Sequence, residues 1–305
     1  MKKIVVIFIL MFLFSFTASA KTKKKYLALG DSITEGYALD NPSEERFAKL
    51  FSDKFDLELT NEAKSGDTSF DLLDKLANYN IDDYDVITLC VGANDVFSNF
   101  TVHFEGKSGF ELATVVDNLL KDEEFNKDIE EDIKKLEANY PKIMEIIKKG
   151  HAQIYLMNVY NPYRKCGLEK LDELADGYVK QINEIISKNK SGTTFINLYK
   201  NFENEKNVIN SQKIQMDKFF DPHPNAKGHE AIFNYLSIEY EKNNPYLINI
   251  IIAIVALILV IIFETVEVIF TFKKFTIKNV NNDDIKPKLE DNKKEEKTSS
   301  RFIRS

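Results

Sequence analysis

The 305-residue chain contains only two cysteines, Cys90 and Cys166. Two cysteines cannot form a disulfide scaffold, and Cys90 lies inside an apolar run, where a small buried side chain is expected. Only four histidines are present, and no group of His, Cys and Asp residues has the spacing of a metal site. The sequence therefore predicts neither a disulfide-stabilised nor a metal-binding protein.

Basic residues are scarce in the central part of the chain. Residues 21–245 contain 29 Lys and Arg against 40 Asp and Glu, a net charge near −11. Nucleic acids and other anionic polymers require a basic surface, so this part is not expected to bind them. The whole chain is 44% hydrophobic and 29% charged, which is typical of a globular protein rather than a disordered or fibrous one.

Residues 1–20 have the layout of a secretory signal peptide. Two lysines precede an apolar run from residue 4 to residue 16, and the small residues Ala18-Ser19-Ala20 follow at the spacing of a cleavage site. Cleavage is expected after about Ala20. The alternative is an uncleaved anchor, for which the apolar run is short.

A second apolar segment begins at Tyr246, and Asn249 is its only amide or charged side chain up to residue 263. This length can cross a bilayer, so residues 246–272 are predicted to be a transmembrane helix with its flank. Residues 273–305 contain ten basic and six acidic residues and are predicted to be a disordered cytoplasmic tail. The sequence thus predicts a single-pass cell-membrane protein with residues 21–245 outside. The alternative, a buried core helix, is weak because the tail could not cover it.

Residues 21–245 alternate short apolar runs with longer helical patterns. The predicted strands are Tyr26–Leu29, Leu57–Ala63, Val86–Val91, Ile154–Val159 and Thr194–Leu198. These runs are continuous rather than alternating, which indicates parallel strands covered by helices on both faces. The prediction is a three-layer α/β/α, doubly wound (flavodoxin-like) parallel sheet of five strands.

The helical patterns between the strands repeat every 3.6 residues. One face carries Phe47, Leu50, Phe51 and Phe55. A longer stripe consists of Ile129, Ile133, Leu136, Tyr140, Ile143 and Ile147. Pro141 interrupts the longer stripe and predicts a break or a kink. The stretch around residues 103–109 is predicted to be a loop near the site.

Polar residues follow the predicted strands at the sheet edge where α/β proteins bind ligands. Ser32 follows the first strand, Gly66 the second and Asn94 the third. His223 precedes the last predicted helix, with Asp221 two residues earlier, and a His paired with a carboxylate can act as a base and its orienting partner. Each feature has a structural alternative: a helix cap, a turn glycine, an Asx turn and an incidental histidine.

Together these blocks resemble the SGNH (GDSL) hydrolase family from about residue 26 to residue 240. Asn161-Pro162-Tyr163 after the fourth strand is similar to bacterial members. The resemblance implies a serine esterase or lipase that needs neither a metal nor an organic cofactor. It implies Ser32 as nucleophile, His223 as general base and Asp221 as the residue that orients the imidazole. It further implies an oxyanion hole made of the Ser32 and Gly66 N–H groups and the Asn94 side chain.

The resemblance leaves several roles open. Many members carry the acid three residues before the histidine, where this chain has Phe220, so either Asp221 or a backbone carbonyl orients His223. Asp31 is expected to brace the turn, and His229 to be a packing residue. Four aromatic residues line an acyl pocket or belong to the core: Tyr37, Phe97, Phe100 and Phe104.

The substrate and the reaction also have alternatives. Family activities include hydrolysis of carboxylesters, lysophospholipids and acetyl esters, and a membrane anchor suits lipid and cell-wall esters equally. The same acyl-enzyme could transfer acetyl groups to or from envelope polysaccharide. A surface binding protein that kept the fold without catalysis is the third possibility.

Overall fold

The computed structural model describes residues 22–104, 106–107, 109–212, 220–244 and 250–275. These residues include one parallel sheet in the strand order β2-β1-β3-β4-β5. The strands are β1 (Lys25–Gly30), β2 (Glu58–Asn61), β3 (Val86–Cys90), β4 (Gln153–Met157) and β5 (Thr194–Ile196). All five predicted strands are confirmed, and all but the first are shorter than predicted.

Helices connect the strands. They are α1 (Ser32–Glu35), α2 (Pro42–Glu45), α3 (Phe47–Phe55), α4 (Ser69–Leu76), α5 (Ala93–Phe104), α6 (Gly109–Leu119), α7 (Glu123–Ile147), α8 (Glu169–Lys188), α9 (Leu198–Glu203), α10 (Ala226–Asn243) and α11 (Ile250–Phe275). Two short 3₁₀ turns occur at Ile81–Asp83 and Asn210–Gln212. The loop predicted around residues 103–109 is shorter than expected, because α5 and α6 occupy its two ends.

Two apolar clusters cover the two faces of the sheet. Leu27 and Leu29 of β1 point to the face packed by α4–α8. Tyr26 and Ala28 point to the other face, which α1, α3, α9 and α10 cover. Adjacent residues of a strand face opposite sides, so both faces of the sheet are buried. The predicted three-layer fold is confirmed.

Helix α7 continues through Pro141, so the predicted break at this residue is wrong. Proline costs roughly 3 kcal/mol inside a helix, because it removes a hydrogen bond and crowds the preceding turn. Its neighbours on both sides, Leu136, Tyr140 and Ile143, are fully buried against the sheet. Burying side chains of this size stabilises the fold by roughly 1.5–3 kcal/mol each, which offsets the cost of the proline.

The C-terminal helix α11 is 26 residues long and apolar enough to cross a membrane, and its most apolar stretch is not buried by other residues. The described residues of α11 overlap the predicted transmembrane segment of residues 246–272, whose first four residues lie outside the described ranges. The chain divides into two compact units, Met1–Tyr240 and Glu241–Ser305, and α11 belongs to the second. The predicted signal peptide and residues 276–305 of the predicted tail lie outside the described residues, whereas residues 273–275, which were predicted to be disordered, belong to α11.

Candidate active site

Ser32 lies at the tight turn from β1 into α1. Gly30 is required there, because a Cβ at this position would lie 2.1 Å from Thr34 Oγ1. Asp31 caps α1 by accepting a hydrogen bond of 3.0 Å from the Ile33 N–H. Burial raises the pKa of Asp31 to about 7, although the hydrogen bond from Ile33 opposes this rise. The expected bracing role of Asp31 is confirmed, and Ser32 is held as the first residue of the helix.

His223 reaches Ser32 from the other end of the domain. Its Nε2 lies 3.0 Å from Ser32 Oγ, although 191 positions separate the two residues. Its Nδ1 lies 2.6 Å from Asp221 Oδ1. The three side chains therefore form the hydroxyl–imidazole–carboxylate chain of a nucleophilic triad.

The two-residue spacing between Asp221 and His223 brings one carboxylate oxygen to two donors. Asp221 Oδ1 accepts both the His223 backbone N–H, at 3.1 Å, and the ring Nδ1. Burial disfavours the ionised form of Asp221, yet the hydrogen bonds from His223 and Asn210 and the charge of His223 lower its pKa overall. Phe220, at the position where many relatives carry the acid, is buried in the core. This geometry favours Asp221 over a backbone carbonyl as the partner of His223.

Two residues that the sequence did not reveal hold this loop. Asn210 donates from Nδ2 to Asp221 Oδ2 at 2.8 Å, and its backbone N–H donates to the His223 carbonyl at 2.9 Å. Tyr160 donates from its hydroxyl to the Pro222 carbonyl at 2.9 Å. Tyr160 follows β4 at the sheet edge, a position that could have suggested a role. Asn210 has no comparable sequence signal, because its partners lie 11 and 13 residues away in a loop.

The predicted oxyanion donors occupy neighbouring segments. The Asn94 side chain is held in one orientation, because one hydrogen of its amide donates to the Asp67 carbonyl at 3.0 Å. The amide carries a second hydrogen, and Asn94 lines the same cavity as Ser32. Gly66 has φ +87°, and a Cβ there would meet nothing within 4 Å, so its backbone conformation rather than space requires glycine. Within the described ranges, neither the Ser32 nor the Gly66 N–H has a protein acceptor.

The loop that carries Gly66 is fixed at both ends. Glu35 accepts the Ser65 N–H at 2.6 Å, and Asp67 forms an ion pair with Lys75. Gly66 itself does not line the cavity of Ser32. The structure thus brings Ser32, His223, Asp221 and Asn94 to one cleft and places Gly66 in the adjacent loop.

Sequence and structure comparisons agree with this geometry. The sequence pattern described as GDSL-like lipase/acylhydrolase matches residues 26–236. The chain belongs to the GDSL-like lipase/acylhydrolase family. It is accordingly an enzyme of the esterase and lipase type, which hydrolyses ester bonds. No protein of curated function matches the sequence.

Solved structures share the fold of this lipase/acylhydrolase. One is a phospholipase A1 from Streptomyces albidoflavus NA297, with a TM-score of 0.55 and 17% identity, covering 72% of this chain and 100% of that one. Another is an extracellular lipase from Streptomyces rimosus, with a TM-score of 0.55 and 17% identity. The match covers 71% of this chain and 99% of that lipase. At this identity the likeness supports the fold alone.

The lipase/acylhydrolase cleft contains a small cavity of about 90 Å³ beside Ser32. Its lining consists of Asp31, Ser32, Ile33, Ala93, Asn94, Phe97, Val159, Tyr160, Pro162, Tyr163, Pro222 and His223. Apart from Asp31, the polar side chains that line it are those of the site and two tyrosines. The cavity therefore presents a largely apolar surface next to Ser32.

Of the four aromatic residues with open roles, one lines the cavity, two belong to the core and one lies exposed beside His223. Phe97 lines the cavity, whereas Phe100 and Phe104 are fully buried in the core. Tyr37 is 53% exposed, and its ring centroid lies 4.7 Å from that of His223. The three phenylalanines lie on the same helix, and the packing of α5 decides that Phe97 faces the cavity while Phe100 and Phe104 face the core.

His229 has the predicted packing role. It is fully buried, its Nδ1 accepts the Phe47 N–H at 3.3 Å, and its ring stacks on that of Phe47. Burial lowers the pKa of His229 to about 3, so the ring stays neutral. It joins α10 to the start of α3 and has no contact with Ser32.

Proposed function

We propose that this chain is a serine ester hydrolase that acts through an acyl-enzyme on Ser32. The observation that carries the proposal is the position of His223, with Nε2 at 3.0 Å from Ser32 Oγ and Nδ1 at 2.6 Å from Asp221. The distance of 3.0 Å allows direct proton transfer from the hydroxyl to the imidazole. Membership of the lipase/acylhydrolase family agrees with this chemistry.

The reaction follows from the three side chains. Ser32 Oγ forms a bond to the acyl carbon as its proton passes to His223 Nε2. The bond between the acyl carbon and the alcohol oxygen then breaks, and the alcohol leaves with the proton from Nε2. Water next gives a proton to Nε2 and attacks the acyl carbon. The bond between the acyl carbon and Ser32 Oγ then breaks, Oγ takes the proton back from Nε2, and the carboxylic acid leaves. The Asp221 carboxylate keeps the Nδ1 proton in place and stabilises the imidazolium that forms in each half.

Both tetrahedral intermediates carry negative charge on the former carbonyl oxygen. The N–H groups of Ser32 and Gly66 and the free hydrogen of the Asn94 amide are the proposed donors to this oxygen. Ser32 is also the first residue of α1, where the N–H groups at the helix start favour negative charge.

Replacing Asn94 with alanine is expected to lower kcat for p-nitrophenyl acetate by roughly 10²- to 10³-fold, because the donor acts on charge that exists only in the transition state. KM should change much less. Asn99→Ala, one turn further along α5, is the matched control and should keep kcat within about threefold, as a substitution remote from the cleft. A loss of less than tenfold in Asn94→Ala, with the fold intact, would exclude Asn94 from the oxyanion hole.

We also propose that α11 anchors the enzyme in the cell membrane, with residues 21–245 outside and the C-terminus in the cytoplasm. The length and apolar surface of α11 support this, together with the basic residues that follow it.

Full-length protein is expected to stay in the membrane pellet after alkaline carbonate washing, whereas a chain ending at residue 245 should appear in the soluble fraction. The physical reason is that removing α11 removes the only described helix able to span the bilayer. A chain ending at residue 275, which loses only the tail, is the control and should remain in the pellet. Release of the full-length chain by carbonate would contradict the anchor.

A further inference from the structure

We propose that the natural substrate is an ester of a short acyl group with a polyhydroxylated alcohol such as a sugar. The acyl group occupies the cavity beside Ser32, and the alcohol occupies a polar groove beside His223. This inference rests on the proposed serine hydrolase mechanism and assigns the substrate class of the same site.

The size of the cavity limits the acyl group. Its volume is about 90 Å³. An apolar protein cavity of about 150 Å³ holds one benzene ring, so 90 Å³ accommodates roughly two to four acyl carbons. A longer chain would have to leave its remaining methylenes in water, and each would lose the roughly 0.8 kcal/mol that burial of a methylene provides.

The cavity walls are held by their own packing. The Tyr163 side chain is 2% exposed, and its ring makes an edge contact with Phe97 at a centroid distance of 6.4 Å. Tyr160 is fixed by its hydrogen bond to the Pro222 carbonyl. Closely packed aromatic walls of this kind do not move aside for a longer chain without a loss of packing.

The mechanism places the alcohol beside His223, because His223 Nε2 must protonate the oxygen that leaves. A groove of about 590 Å³ lies beside the loop that carries His223, and it shares no lining residue with the cavity beside Ser32. Asn210, one of its lining residues, donates to the Asp221 carboxylate and to the His223 carbonyl. Ala38, another lining residue, directly follows Tyr37, whose ring packs on the His223 ring. The groove is thus adjacent to the loop that carries the base of the triad.

The lining of the groove suits hydroxyl groups and not alkyl chains. It contains two carboxylates, three amides and one ammonium group: Asp40, Glu45, Asn207, Asn210, Asn225 and Lys227. Covering these groups with an alkyl chain would remove water from them without replacing its hydrogen bonds, at a cost of about 1–3 kcal/mol per group. Sugar hydroxyls both donate and accept and can replace that water. The half-exposed Tyr37 ring supplies a flat surface for the sugar ring beside the ester.

The acyl half is tested on the full-length protein in micelles of a detergent without ester bonds. The probes are p-nitrophenyl acetate, butyrate and octanoate. The parent enzyme is expected to show kcat/KM at least about tenfold higher for acetate and butyrate than for octanoate, since pocket fit of this kind discriminates by 10–200-fold. Phe97→Ala enlarges the cavity and should raise the octanoate-to-acetate ratio about tenfold. Phe110→Ala, on the exposed surface of α6, is the control and should leave the ratio unchanged.

The alcohol half is tested with a mono-O-acetylated glucose, with release of acetate as the measurement. The double variant Asp40→Ala/Asn207→Ala is expected to lose at least about tenfold more kcat/KM on this ester than on p-nitrophenyl acetate, because two hydrogen-bonding partners of the sugar are gone. Asp74→Ala/Asn78→Ala, at exposed positions in α4 and just after it, is the matched control and should change both rates equally.

The outcomes separate the two levels of inference. Octanoate turnover equal to or above butyrate turnover in the parent enzyme overturns the short acyl group and points to a lipid ester. Equal losses on the sugar ester and on p-nitrophenyl acetate overturn the polyol groove. No turnover of any ester, with Ser32 unlabelled by a fluorophosphonate in folded protein, overturns the serine hydrolase mechanism itself. The proposed substrate class requires both results: the preference for short acyl groups and the larger loss on the sugar ester.

Discussion

Replacing Ser32 with alanine is expected to lower kcat/KM for p-nitrophenyl acetate by roughly 10⁴- to 10⁶-fold, because the reaction then has no nucleophile. Only one oxygen atom is removed. Ser32 is 6% exposed, and its hydroxyl contacts His223 at the mouth of the cleft rather than a core residue. The change should therefore leave thermal unfolding of the domain almost unaltered. Ser43→Ala, at an exposed position of α2, is the matched control and should retain full turnover.

The covalent intermediate gives a second measurement on the same residue. A fluorophosphonate probe should form one adduct with the parent chain, at Ser32, and none with Ser32→Ala. Activation of the hydroxyl by His223 is the reason for selective labelling, because no other serine among the described residues is hydrogen-bonded to a histidine. Near-full activity of Ser32→Ala, or labelling of the variant at the same rate, would exclude the acyl-enzyme mechanism.

The second large effect is expected for Asp221→Asn, with a loss of roughly 10³- to 10⁴-fold in kcat at neutral pH. Asn210 donates to Asp221 Oδ2 and the His223 backbone N–H donates to Oδ1, so an amide at position 221 cannot accept from both in either orientation. When its oxygen faces Asn210, its NH₂ group faces His223 Nδ1, which must become an acceptor. The ring proton moves to Nε2, the atom that has to accept the Ser32 proton, and the base is blocked.

Ester turnover across a range of pH values measures this effect. Asp74→Asn, an exposed acid on α4, is the control and should match the parent enzyme. A loss of less than tenfold in Asp221→Asn would mean that a backbone carbonyl orients His223, the alternative that the sequence left open. The lowered pKa of Asp221 predicts that the parent carboxylate stays ionised at pH values where an ordinary Asp is partly protonated.

The fold was predictable from the sequence because its signals are local. Continuous β-branched runs such as Val86–Val91 show burial on both faces, and the stripe from Ile129 to Ile147 repeats with the period of a helix. The wrong prediction of a break at Pro141 also came from reliance on local sequence. Local backbone chemistry predicts a break there, whereas burial of the surrounding side chains, a tertiary effect, keeps the helix continuous.

The candidate site was predictable only in its residue types. Motif blocks after the strands point to Ser32 and Asn94, because parallel strands bring their carboxyl ends to one edge, and the block before the last helix points to His223. The roles of Asn210 and Tyr160 were not predictable, since both act through hydrogen bonds to the loop that carries His223, and only the tertiary structure places them beside it. The division of Phe97, Phe100 and Phe104 between cavity and core likewise depends on how α5 packs.

The sequence by itself determined the order of strands and helices, the apolar C-terminal segment and the residues capable of nucleophilic catalysis. These features depend on periodicity, length and chemical type, which neighbouring residues specify. Only the tertiary structure decided that Asp221 lies against His223, how large the cavity beside Ser32 is and which side of the site is polar. Such properties depend on distances between chain segments up to 191 positions apart, and these distances are fixed by packing against the sheet.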